Sequence, residues 1–261
     1  MDLFYLGIVI FLIAFFMTMT GRGGGNFYML ALVISGLTMN MAASTGQFVL
    51  MCSSFTAAFL FSKKKMNDWK LTIIIGVMIF IAAMAGGRYG KCFNEDVLKM
   101  VFAIAMFVAA CFMLKKPKQH DKSNHPWVII IHSKAYDEEY QINLLVTVPI
   151  VLLTGFVSGM VGVSGGSFLV PLMLLTMSVP MHRAVGTSTV LVSISAAAGF
   201  LGHLSAGFFD YKLALPLALC GIIGGFLGAK VAFKTKPKNL KYLFAGTQFV
   251  AAIIMIIRII W

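Results

Sequence analysis

The chain has 261 residues, 59% of them hydrophobic and 11% charged, with a formal net charge of +12. A globular domain uses about 25% charged residues, so a soluble fold is excluded. The basic excess is not a nucleic-acid signal either, because it falls in short connections between apolar runs, where lysines meet the anionic face of a bilayer.

Ten apolar segments follow one another with little between them. The first, 3–19, has Asp2 where a secretory leader would carry positive charge, and no small-x-small cleavage site follows. It is expected to be a retained span. A glycine cluster, Gly21-Arg22-Gly23-Gly24-Gly25-Asn26, opens a short segment at 26–38. Segments 42–62, 70–87 and 97–114 complete the first half. Residues 115–142 form the one sizeable polar stretch, with a strand-like run from Trp127 to Ile131, and are expected to be a cytoplasmic linker, with a docking role as the alternative. The second half begins with 143–160 and a second cluster, Gly162-Val163-Ser164-Gly165-Gly166-Ser167, followed by a short segment at 167–179. Segments 184–206, 212–233 and 240–260 close the chain. The four cysteines, Cys52, Cys92, Cys111 and Cys220, have no CxxC spacing and are expected to be packing residues.

A shift of 142 positions lays the second half over the first. Asp68-Trp69-Lys70-Leu71 returns as Asp210-Tyr211-Lys212-Leu213, Gly86 as Gly228, and Leu98-Lys99 with Phe102 as Leu240-Lys241 with Phe244. Ala42 and Thr45 return as Ala184 and Thr187, while Gly24-Gly25 returns as Gly165-Gly166 at a shift of 141. Two copies of one apolar unit suggest a transporter with its pathway between the halves. The expected architecture is an all-α integral membrane protein of two repeats, 1–114 and 143–261, each of about five hydrophobic segments with a short broken helix after a glycine loop. Lys63-Lys64-Lys65 load a connection whose mate near Asp210 has only Lys212, and Lys230 to Lys241 load one whose mate also carries Glu95 and Asp96. Opposite positive loads on equivalent loops imply that the copies are inverted in the membrane, with both termini outward.

The glycine clusters carry the candidate chemistry. Glycine lets a backbone approach a ligand closely, and the first N–H groups of each following helix face the loop with partial positive charge. That arrangement captures anions; the alternative is that these glycines only allow tight helix packing. The short segments sit at matching places in the two copies, which points to a binding site. Arg22 adds a donor fork suited to oxyanions; its alternative is a surface charge that orients the first span. Thr45, Thr187 and Ser188 could donate to the same anion or bond helix to helix. His182-Arg183 is expected to be surface charge, His203 a hydrogen-bonded structural residue rather than a proton relay, and Asp68 and Asp210 first-turn helix caps or interface anchors. Neither a cofactor nor a metal site is expected, and no nucleophile, base or carboxylate pair marks an enzyme.

Gly162-Val163-Ser164-Gly165-Gly166-Ser167-Phe168-Leu169-Val170-Pro171, then Pro180 to Ser188, then Ala198 to His203, resembles the signature of the sulfite exporter TauE/SafE family. Gly21 to Gly25 and Ala42 to Thr45 match it more weakly, with Leu30 where the second copy has Pro171 and Arg22 interrupting the glycines. The resemblance implies a bacterial or archaeal plasma-membrane permease that exports sulfite or an organosulfonate. The expected substrate-binding residues are Arg22, Gly23, Gly24, Gly25, Asn26, Thr45, Ser164, Gly165, Gly166, Ser167, Thr187 and Ser188. The expected partners are a small anion and the bilayer, with a homodimer possible and no nucleic acid. The alternatives are a passive anion channel, a permease for another small anion, or a non-transporting membrane scaffold.

Overall fold

The computed structural model describes residues 3–94, 97, 100, 104, 128–133, 138–204, 207 and 209–260. The chain forms α1 (Leu3–Met19), α2 (Gly25–Ile34), α3 (Met39–Lys63), α4 (Trp69–Tyr89), β1 (Val128–Ser133), β2 (Glu138–Asn143), α5 (Leu144–Val161), α6 (Gly166–Thr176), α7 (Met181–Leu204), α8 (Tyr211–Ala232) and α9 (Pro237–Ile260). Most of the segment expected at 97–114, and Cys111 with it, lies outside the described residues.

This is an all-α membrane protein. Among the described residues five helices, α3, α4, α5, α7 and α8, are long and apolar enough to cross a bilayer. Their outward faces are apolar too. Ile73, Val77, Ile81 and Met84 of α4 and Leu215, Leu219 and Ile223 of α8 are all exposed at helical spacing. Patches of that extent would aggregate in water and are at home against lipid. The inward faces are built differently. Glycines, serines and threonines line them, and small residues let helix backbones approach closely where water supplies no hydrophobic drive.

The packing is reciprocal under the repeat shift. α1 packs on α8, and its mate α5 packs on α4, the mate of α8. α3 meets α8 as α7 meets α4, and α3 and α7 pack on each other at the centre. The glycines repeat the pattern at atomic scale. A Cβ on Gly86 would fall 2.0 Å from the Phe156 carbonyl oxygen, and one on its mate Gly228 2.2 Å from that of Phe15. Phe156 lies 141 positions after Phe15, so the same contact is made twice with the halves exchanged. Helices of the two copies are thus interleaved.

Each expected short segment is shorter still. α2 has 10 residues and α6 has 11, about 15 Å and 17 Å of helix. Neither crosses about 30 Å of hydrocarbon alone. Two consecutive glycines in left-handed backbone, Gly23 at φ 67 and Gly24 at φ 94, turn the chain into α2.

Within the expected linker, β1 carries the strand-like run and β2 pairs with it antiparallel, Ile130 opposite Gln141. The second strand was not foreseen. Its signal is the alternation that buries Tyr140 and Ile142 against the core. Trp127 lies outside the described residues.

Asp68 accepts from the amides of Lys70 and Leu71, and Asp210 from that of Lys212, so both aspartates cap as expected. Cys52 and Cys220 are partly buried, but Cys92 is exposed in a 3-10 turn at Gly90–Cys92, which corrects its assignment as a packing residue.

Candidate functional site

The two glycine loops meet backbone to backbone. A Cβ on Gly25 would lie 2.8 Å from the Ser164 nitrogen, and one on Gly166 would lie 2.9 Å from both Arg22 Cα and the Gly21 oxygen. Neither position has room for a side chain. The contacts to the central helices are again exchanged between copies: Gly21 lies against Val185 of α7 and Gly162 against Ala43 of α3, both at positive φ.

On this crossing point a polar cluster is assembled. Arg22 is 1% exposed, so it is not a surface charge orienting α1. Its Nε and Nη2 donate to the Ser167 hydroxyl at 3.2 and 3.0 Å, and its Nη1 donates to Thr247 Oγ1 of α9 at 3.0 Å. The guanidinium lies over the Phe244 ring, 4.9 Å from the centroid. All these partners are neutral. Burying a cation without a carboxylate costs several kcal/mol, and such a group in a membrane protein is ordinarily functional.

Asn26 completes the cluster. Its Oδ1 accepts from the Ser164 backbone amide at 3.0 Å, which fixes the orientation of the side-chain amide. Its Nδ2 therefore points the other way and donates to Ser167 Oγ at 2.8 Å. Three N–H groups thus converge on one hydroxyl oxygen, which has two lone pairs. Donors therefore outnumber the lone pairs available to them at this oxygen.

Ser164 acts as a brace. Its hydroxyl bonds the Arg22 carbonyl across the crossing and accepts from the Gly166 amide at 3.2 Å. One amide at the start of α6 is therefore held internally. Gly24 and Gly165, the N-caps of α2 and α6, both lack a capping side chain.

The remaining candidate residues are dispersed. Ser188 donates to the Gly21 carbonyl at 2.9 Å and so supports the first loop. Thr187 accepts from the Asp68 amide at 3.0 Å, tying α7 to the start of α4. Thr45 is fully buried on α3, and its hydroxyl has no partner among the described residues. Gly23 packs against Leu50 and Val192, and Gly165 is the N-cap of α6. His203 is held by the Gly159 carbonyl at 2.8 Å, as a structural histidine would be.

Two residues at the cluster, Thr247 and Phe244, do not follow from motif reasoning. Their signal lies in the repeat. Phe244 returns Phe102, but Thr247 stands where the first copy has Ala105, and Arg22 where the second has Val163.

Residues 6–255 match the family model described as sulfite exporter TauE/SafE. The chain is 27% identical over 207 residues to the probable membrane transporter protein YunE of Bacillus subtilis, covering 78% of this chain and 76% of that one. It is 25% identical over 268 residues to the probable membrane transporter protein MJ0441 of Methanocaldococcus jannaschii, covering 96% and 94%. No solved structure matches the chain.

Proposed function

The chain belongs to the sulfite exporter TauE/SafE family, and from that membership we propose that this membrane transporter releases sulfite or a small organosulfonate from the cell at the crossing of its glycine loops. The observation that carries the proposal is the convergence of Arg22 and Asn26 donors on Ser167, around a buried cation whose partners are all neutral. A sulfur oxyanion would supply the missing negative charge and several acceptor oxygens. Gly23, Gly24, Gly25, Gly165 and Gly166 bring the two backbones close enough for one small ligand to touch both. Ser164 and Ser188 hold the loops, with Thr45 and Thr187 further out on the central helices. The two repeats lie inverted in the membrane, which brings the start of each short helix to the crossing from opposite sides.

Energetically no coupling ion is required for export. An anion leaving a cell that is negative inside gains about 2.3 kcal/mol per charge per 100 mV. Flux should therefore follow an imposed potential.

The test uses the purified full chain in liposomes, with labelled sulfite and competing sulfate, thiosulfate, sulfoacetate and isethionate, under potassium diffusion potentials. Saturable, potential-driven sulfite efflux with counterflow is expected, and Arg22→Ala should reduce it at least tenfold, since hydrogen bonds to a charged group are worth about 1.5–3 kcal/mol each. Unchanged flux in that variant would remove Arg22 from the site. Non-saturating flux without counterflow would make the protein a passive anion channel, and no flux at all a scaffold.

A further inference from the structure

α3 and α8 run side by side in the same direction. Gly221 lies against Val49, Gly225 against Ser53, and the Phe233 ring 5.2 Å from that of Phe61. Their last turns therefore emerge at one end of the bundle. The first leads into Lys63, Lys64, Lys65 and Lys70, the second into Lys230, Lys234, Lys236, Lys238 and Lys241. All of these are exposed except Lys241, which is half-buried. Lys230 and Lys238 lie over the rings of Phe226 and Tyr242, at 4.2 and 5.9 Å, neutral neighbours that leave their charge uncompensated. Among the described residues, Asp68, Glu138 and Glu139 are the acids at this end, and the bases outnumber them. The opposite end, where α4 closes and α8 opens, has Arg88, Lys91 and Lys212 with Asp210.

Both lysine loops lie close to the crossing of the glycine loops. Met66, next to Lys65, has its carbonyl against Gly186 of α7, and the preceding Val185 packs on Gly21. On the other side, Lys241 stands about one turn before Phe244, whose ring lies against the Arg22 guanidinium. From Lys238 to Thr247, the α9 residue that Arg22 reaches, is about 14 Å of helix. That distance falls within the Debye length of about 30 Å at 0.01 M salt and beyond the one of about 8 Å at 0.15 M.

Membrane topology accounts for the sign of this end but not for its nearness to Arg22. We propose that the lysines of the two loops form an electrostatic entrance, which draws a small oxyanion from this end of the bundle toward the Arg22 cluster. The lysines take no part in holding the anion once it is bound. Clustered charge of one sign raises the local concentration and the on-rate of an opposite ion by about tenfold or more. Such an effect fades with salt, because exposed charges are screened. The inference rests on the anion site proposed above, and it adds how that site is loaded and from which end.

Uptake of labelled sulfite into inverted and right-side-out membrane vesicles containing the full chain reads the two faces separately. At the lysine end KM should rise at least threefold as ionic strength goes from about 0.01 to 0.15 M in potassium gluconate, with kcat unchanged. At the opposite end KM should not rise. Lys63→Gln with Lys64→Gln and Lys65→Gln should raise KM at low salt and flatten its rise, and so should Lys234→Gln with Lys236→Gln and Lys238→Gln. If one triple variant fails to insert, the other carries the same expectation. Arg88→Gln with Lys212→Gln, at the far end, should behave as the parent. A KM that ignores salt at both faces, or follows it equally at both, overturns the entrance and leaves the anion site standing. Triple variants that lower kcat with KM unmoved overturn it too, since lysines that serve only anionic lipid would do this. Saturable uptake that is absent, or unchanged in Arg22→Ala, overturns the site and the entrance with it.

Discussion

At the scale of single residues, the polar cluster around Arg22 is a matter of counting donors and acceptors. Arg22 and Asn26 direct three N–H groups to one oxygen, the Ser167 hydroxyl, which is neutral. An internal carboxylate should therefore relieve the cluster and disable it at once. Asn26→Asp keeps the acceptor for the Ser164 amide and places a negative charge where the Asn26 nitrogen now reaches Ser167, beside the guanidinium. The melting temperature should rise, and sulfite affinity should fall at least tenfold as the internal anion satisfies Arg22. Thermal unfolding and binding measured on one preparation check both halves. A variant that bound sulfite normally would mean that the anion does not depend on the charge of Arg22. The pairing of Arg22 with Thr247 was not evident from motifs because side chains 225 positions apart meet only through the fold.

At the scale of elements, the two copies share one plan and differ in detail. Both α4 and α8 start at an aspartate cap, yet the caps are not equivalent. Asp68 is 3% exposed, accepts two backbone amides, and its own amide donates to Thr187 on α7. Asp210 is half-buried and accepts one. Removal of a cap costs about 0.5–2 kcal/mol, and Asp68→Ala should lie at the upper end while Asp210→Ala lies at the lower. Paired melting curves in detergent decide it; equal losses would show that the link to α7 adds nothing. The short helices α2 and α6 were legible in the sequence from their length and the glycines before them. Their closeness was not, since it depends on Gly25 and Gly166 meeting the opposite loop at 2.8 and 2.9 Å.

At the scale of the whole molecule, the interleaved packing makes each half depend on the other. The strongest helix pairings join one copy to the other, α1 to α8 and α5 to α4. The proposed inversion predicts that equivalent positions lie on opposite sides of the membrane. Lys70 and its mate Lys212 are both exposed at the start of their helices and suit the comparison. In a background without the exposed Cys92, Lys70→Cys and Lys212→Cys should react with an impermeant maleimide from opposite faces of sealed vesicles. Labelling from one face alone would cancel the inversion and the approach of the short helices from two sides.

The sequence by itself determined that this is a helical membrane protein, that its halves carry matching residues at a shift of 142, where its short helices fall, and which family its motifs resemble. Those properties are written in composition, hydropathy and repeat, which are local or periodic along the chain. The tertiary structure alone decided that Arg22 is buried with neutral hydrogen-bond partners, that Ser164 braces the loops while Thr187 serves α4, and that a hydroxyl from α9 reaches Arg22. Side-chain partnership across a bundle depends on how helix faces turn toward one another, and helices with apolar residues on both faces leave that rotation unmarked in their sequence.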